Sequence, residues 1–200
     1  MELKTEFSSA RKIHRKQGVK AKSLYSPYKV ASFNMIEVYL GYQDVPTLVD
    51  YANAHPETEV IGIDISQEPI SKKPINLRLV KADFLLGLKD STTKDSVNQV
   101  ASNLAFGYYG RMGHRTWDCD YTAEVAGQIC SVLREKGEFR TIVMKRDGER
   151  IQTVLDASGF YIGASPISDG EAESTNWMKM LQIHQCVPLE LLVARCSKKQ

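Results

Sequence analysis

A chain of 200 residues with 42% hydrophobic, 25% charged and 8% aromatic side chains can bury one sizeable core, which excludes fibrous, low-complexity and very small disulfide-scaffold classes. A formal net charge of +2 excludes a polyelectrolyte as a whole, yet the charge is unevenly placed. Lys4, Arg11, Lys12, Arg15, Lys16, Lys20, Lys22 and Lys29 precede the first core strand against only Glu2 and Glu6.

Residues 1–29 therefore read as a basic N-terminal arm ahead of a domain at 30–200. The arm is either simply solvated or a contact to phosphate, as in nucleic acid. Within it, residues 9–17 suit a short basic helix stopped at Gly18. Met35 to Leu40 is the first buried strand. Asp44 as N-cap and Pro46 in the first turn then start a helix with Leu48, Tyr51 and Ala52 on one stripe, ended by His55-Pro56. Val60 to Ile65, interrupted only by Gly62 and Asp64, has the continuous apolar character of a central strand. Between Pro69 and Pro74 only Gln67 to Lys73 can be helical before a third strand, Leu77 to Ala82, which ends at Asp83-Phe84.

A polar turn at Lys89 to Lys94 leads into a fourth strand, Val97 to Leu104, and the loop from Phe106 to Trp117 favours no regular element. Tyr121 to Arg134 is the strongest helix, with Val125, Ile129, Val132 and Leu133 on one stripe, Asp120 near its start and Gly137 past its end. Phe139 to Met144 is a fifth strand, Ile151 to Ala157 a helix closed by Gly159, Phe160 to Ala164 a sixth strand and Leu189 to Cys196 a seventh. A long polar connection joins the last two like a hairpin. This order predicts an α/β three-layer sandwich around a mostly parallel seven-stranded sheet with an antiparallel last strand. No apolar run reaches the length of about 18 residues that a membrane span needs, so no membrane contact is expected. Cys119, Cys130, Cys186 and Cys196 form no CxxC pair, which reads as a cytoplasmic chain with reduced thiols. His114 and His184, near Cys119 and Cys186, lack zinc-finger spacing, and no metal is expected.

In an open α/β sheet, ligands sit at the carboxyl edge of the strands, which draws attention to the turn at Gly41 and to the strand-end acids. A carboxylate accepts only, through two oxygens, and so suits the two hydroxyls of a ribose. Asp64 and Asp83 serve equally as turn or helix caps, and Glu37, beside buried positions, needs a partner that is either structural or a ligand.

The order of these parts resembles the class I, Rossmann-like S-adenosylmethionine-dependent methyltransferases over about Met35 to Cys196. Glu37 to Gly41 is similar to the family's first acid and glycine turn, and Gly62-Ile63-Asp64-Ile65-Ser66 to its second strand end. Asp83-Phe84 resembles the third-strand pair, Val132 to Phe139 the turn into strand five, and Leu155 to Phe160 the lead into strand six. The resemblance implies S-adenosylmethionine as cofactor, held by Glu37, Gly41, Asp64, Ile65, Asp83, Phe84 and Asn103. In it, Asp64 takes the ribose, Asp83 accepts from the adenine amino group and Phe84 flanks the ring. Tyr39 and Gln43 depart from the family's small residues. Asn103-Leu104-Ala105-Phe106 matches the amine-methylating tetrad only at its first and last positions.

Arg111, His114 and Arg115 interleave with Tyr108, Tyr109 and Trp117, a mix that holds phosphate and stacks bases; these six are the candidate substrate-binding residues. The same loop also reads as a surface segment with aromatics anchored in the core. Methyl transfer from a sulfonium is an in-line displacement that depends on positioning, so no universal catalytic residue is expected. The implied function is an S-adenosylmethionine-dependent methyltransferase of unassigned substrate and oligomeric state. The alternative, motivated by Tyr39 and Gln43, is a catalytically inactive methyltransferase-like binding or scaffold module that contacts RNA.

Overall fold

Apolar runs that alternate with helical stripes close into one mixed sheet. The computed structural model of the chain describes residues 33–42, 45–66, 70, 72–111, 114, 116–166 and 189–197. In chain order the elements are β1 (Met35–Leu40), α1 (Val45–Ala54), β2 (Thr58–Asp64), β3 (Leu77–Lys81), α2 (Phe84–Ser91), β4 (Val97–Asn103), α3 (Cys119–Val132), β5 (Leu133–Met144), α4 (Lys145–Ala157), β6 (Phe160–Pro166) and β7 (Leu189–Cys196). The sheet order is β3-β2-β1-β4-β5-β7-β6. β1 to β5 pair in parallel, whereas β7 is antiparallel to both β5 and β6. This is the expected three-layer α/β architecture with its antiparallel last strand. The basic arm, the helix expected at 9–17, Gln43, Asp44, Arg115, His184, Cys186 and the connection at 167–188 lie outside the described residues.

Because side chains alternate along a strand, β1 and β2 feed two cores. Val38, Leu40, Ile61 and Ile63 meet α2, α3 and α4 through Leu88, Val125, Ile129, Ile151 and Leu155. On the other face Val60 and Leu77 pack beneath α1 with Val45, Leu48 and Ala52. Asn76, buried, ties this second layer together: its Nδ2 donates to the carbonyls of Ala52 (2.8 Å), His55 (3.0 Å) and Thr58 (2.9 Å), joining the end of α1 to the starts of β2 and β3.

Four expectations need correction. The polar turn expected at Lys89 to Lys94 begins too early, because α2 runs through Ser91, capped at its start by Asp83. Of the helix expected over Gln67 to Lys73, residues 67–69 and 71 lie outside the described set, and Lys72 and Lys73 are not helical. β5 starts at Leu133 instead of Phe139. Leu133 pairs with Val97, the register then shifts before Gln99 meets Glu138, and Lys136 turns the excursion with φ 66°. Finally, the thiols are not all reduced: Cys130 and Cys196 form a disulfide. The last turn of α3 and the last residue of β7 come down on the same floor of the sheet, with Cα atoms 5.5 Å apart, a separation that a disulfide spans. Cys119 is free and exposed. Among the described residues no helix is long and apolar enough to cross a membrane.

Candidate functional site

Parallel strands end on a common edge, and adjacent strands carry the candidate residues there. Gly41, Asp64, Asp83 and Asn103 stand at or just past the ends of β1, β2, β3 and β4. Backbone bonds knit this edge: Gly41 N–H donates to the Ile63 carbonyl (2.9 Å), Ala82 N–H to that of Asp64 (3.0 Å) and Leu104 N–H to that of Ile142 (2.9 Å).

Asp64 is 8% exposed, and its Oδ1 accepts from the Ser66 N–H (2.8 Å) and Oγ–H (2.9 Å). Both bonds end on Oδ1, so the turn cap engages one of the two carboxylate oxygens. Asp83 behaves alike. Its Oδ1 accepts from Leu85 N–H (3.0 Å), Leu86 N–H (3.1 Å) and the Tyr121 hydroxyl (3.1 Å). That hydroxyl in turn accepts from the Phe84 N–H (3.1 Å). Burial, then the Asp83 charge, push Tyr121 up to about 12. Phe84 is buried, whereas Ile65 and Leu86 expose apolar surface on this edge, 42% and 53% of their area.

Gly41 has φ 69°, in the region that favours glycine. A Cβ there would come within 2.4 Å of Ala105 Cβ and 3.5 Å of the Phe84 ring. The close approach that demands glycine is therefore made by the chain's own loop after β4. Glu37 is set apart from the edge. Buried beside α1, its Oε2 accepts from the hydroxyls of Tyr39 and Tyr51, both at 2.9 Å. Tyr39 packs edge-on to Tyr51 with ring centres 5.8 Å apart, and Tyr51 stacks on His55 at 4.1 Å. Burial and then the Glu37 charge raise the Tyr39 pKa. The bulk of Tyr39 is thereby taken up in the α1 layer.

At the end of β4, Asn103 is half-buried and Leu104 adopts φ 46°. The Ser102 Oγ accepts from the Phe106 N–H (2.9 Å), turning Phe106 into the core against Phe139, ring centres 5.0 Å apart. Phe106 is 1% exposed, so it offers no surface to a substrate ring.

The candidate substrate loop divides. Tyr108, Tyr109 and Trp117 are half-buried against the larger core. The Tyr108 hydroxyl accepts from the Met144 N–H (2.7 Å) at the start of α4; burial pushes it up to about 12, with the charge of Asp147 adding to the rise. Asp147 pairs with Arg150 (3.1 Å), whose guanidinium lies 4.2 Å above the Trp117 ring centre. Arg111 pairs with Glu124 at 2.5 Å and sits 5.7 Å from the Tyr121 ring centre. His114 is exposed, and its carbonyl accepts from the Gly110 and Thr116 N–H groups, both at 2.8 Å. Arg115 lies outside the described residues.

Ser66, Tyr121, Asp147 and Arg150 adjoin the candidate residues, and sequence reasoning did not single them out. Ser66, two residues past a strand-end Asp, carried a local signal, because that spacing makes side-chain turns. The other three carried none, since on a helix stripe they read as core or solvated face. Among the described residues no group of three or more His, Cys, Asp or Glu is placed to hold a metal ion.

No protein-family model matches this chain, and no curated protein sequence matches it. Solved structures do. The 16S rRNA methyltransferase KamB is 12% identical with a TM-score of 0.60, covering 84% of this chain and 90% of its own. The aminoglycoside resistance methyltransferase NpmB1 is 18% identical with a TM-score of 0.57, covering 82% and 88%. A 16S rRNA (adenine(1408)-N(1))-methyltransferase variant from Catenulisporales acidiphilia, solved with the cosubstrate SAM, is 14% identical with a TM-score of 0.54, covering 85% and 88%. At this level of identity the likeness concerns architecture: the chain has the class I, Rossmann-like methyltransferase fold.

Proposed function

We propose that this protein is an S-adenosylmethionine-dependent methyltransferase acting on RNA. The observation that carries the reading is the pair Asp64 and Asp83 on neighbouring strand ends, each held through Oδ1, beside exposed Ile65 and Leu86. Two acceptor oxygens and two aliphatic faces fit an adenosine, whose ribose and amino group donate and whose base stacks. When bound, the cofactor supplies an electrophilic sulfonium methyl. The chain's own residues bind and orient it, Asp64 toward the ribose and Asp83 toward the base, while the turn at Gly41 borders the space for its amino-acid end.

The RNA half of the proposal draws on two of the similar structures being 16S rRNA methyltransferases, and on the eight cations against two acids in residues 1–29. The reading places the protein in the cytoplasm, where thiols are ordinarily kept reduced, and thiol labelling of protein taken from cells would report whether Cys130 and Cys196 stay bonded there. Arm contacts to phosphate predict affinity that falls steeply with salt; deleting residues 1–22 should flatten that slope, and an unchanged slope would remove the arm from the interface.

The central test is titration with S-adenosylhomocysteine. Wild type should bind, and Asp64→Ala should lose roughly tenfold or more, as expected for hydrogen bonds to a charged acceptor. No binding by wild type at millimolar ligand, with the variant indistinguishable, would sink the proposal. A second reading, a methyltransferase fold that binds without transferring, is favoured by one observation: Ala105 fills the space that the glycine at 41 leaves. It predicts adenosine and S-adenosylhomocysteine binding with equal affinity, and no transfer of labelled methyl to small ribosomal subunits or their RNA.

A further inference from the structure

We infer that Tyr121 is a positioning residue that sets the Asp83 carboxylate for the cofactor's base and links that carboxylate to the loop proposed to meet the substrate; this rests on the reading just given. Tyr121 is 2% exposed and is the third residue of α3. Its hydroxyl bridges two groups on another element, donating to Asp83 Oδ1 and accepting from the Phe84 N–H. Capping α2 takes only the bonds from Leu85 and Leu86 to that oxygen; the third, from Tyr121, is not needed to start the helix. Three donors converging on Oδ1 fix the carboxylate's rotation and assign Oδ2 to whatever donor arrives from outside.

The other end of Tyr121 belongs to the loop. Its backbone N–H donates to the Asp118 carboxylate (2.9 Å), which caps α3 where the loop ends. Arg111 rests over its ring and is anchored to Glu124 one turn on. A shift of Arg111 or Asp118 therefore moves the hydroxyl that orients Asp83. The sequence position hid this, because a tyrosine on the apolar stripe of a helix reads as core.

The test compares S-adenosylhomocysteine with its analogue lacking the 6-amino group, in wild type and Tyr121→Phe. Wild type should favour the amino form by roughly tenfold, the effect of one hydrogen bond to a charged group. Tyr121→Phe should narrow that preference to about threefold or less, an intermediate loss because Asp83 keeps its two backbone donors. A purely structural role for Tyr121 would weaken both ligands alike and leave their ratio intact.

Because the variant leaves the Phe84 N–H without its acceptor, at a cost to folding, the same comparison is made in wild type by hydrogen exchange. At saturation the Phe84 amide should exchange more slowly with S-adenosylhomocysteine than with the deaminated analogue. Binding with an unchanged ratio in the variant, or equal Phe84 exchange in the two complexes, overturns the inference and leaves the proposed function standing. Failure of wild type to bind S-adenosylhomocysteine overturns both.

Discussion

Two carboxylates on adjacent strands, Glu37 on β1 and Asp64 on β2, have opposite surroundings. Glu37 lies between two phenols in the α1 layer, and Asp64 ends a strand with one oxygen committed to Ser66. Tyr39→Phe removes one donor to Glu37, and should lower the unfolding free energy by about 1–2 kcal/mol in urea titration while leaving S-adenosylhomocysteine affinity unchanged. A tenfold drop in affinity would return Glu37 to the ligand side. The phenols also make an alkaline prediction. Tyr108 and Tyr121 are raised to about 12 and Tyr39 is raised too, against about 10 in an unfolded chain. The folded chain keeps protons that the unfolded chain releases, so this stabilisation is complete below pH 10 and declines as pH rises toward 12. The limit is about 1.4 kcal/mol per pH unit for each fully buried group. Tyr121→Phe should make the decline shallower in denaturation curves taken across that range; an identical slope would contradict its assignment. The strand-end acids were legible because Asp64 and Asp83 close apolar runs. Tyr121 and Tyr51 were not, because what they do depends on which element the fold lays beside them.

Among the elements, α2 is the instructive omission. Phe84 to Ser91 is short and has a glycine at its centre, so its helical propensity is weak. Tertiary contact explains the glycine, since a Cβ at 87 would come within 2.3 Å of Ile63 Cγ2. Propensity alone predicts that Gly87→Ala stabilises by about 1 kcal/mol, whereas overpacking costs about 1–3 kcal/mol. The contact is with a buried β2 side chain that has little room to yield, so net destabilisation is expected, measured as a lower melting temperature. The cap of the same helix separates two roles of Asp83. Asp83→Asn should keep most of the stability, because Asn caps as well as Asp, while S-adenosylhomocysteine affinity falls. Equal affinity would leave Asp83 a cap only. By contrast β1, β7 and the core of α3 were readable, because their apolar periods match the pleat and the helical turn. The early start of β5 was not, since Arg134 to Gly137 is polar and its place in the strand follows from the pairing of Leu133 with Val97.

At the scale of the molecule, the bond between Cys130 and Cys196 closes a loop with a sequence separation of 66. Chain-entropy arguments give such a closure about 4 kcal/mol; reductant, or Cys130→Ser with Cys196→Ser, should shift the urea midpoint accordingly, and no shift would mean that the thiols are free in solution. The bond lies on the floor, so ligand affinity should survive its loss. The mostly parallel sheet and its antiparallel last strand followed from the alternation of elements, whereas neither the sheet order nor the cysteine pair was foretold, because α3 and β7 meet only once the sheet is assembled.

The reversal of β7 has a consequence of its own. β6 runs with β5 and β7 against both, so β6 finishes, and β7 begins, on the edge that carries Asp64 and Asp83. Whatever path residues 167–188 take, they leave and rejoin the sheet there. The opposite end of β7, by contrast, is fastened to α3 through Cys130 and Cys196, so the two ends of one strand face different neighbours: the candidate carboxylates at its start and a covalent tie at its finish.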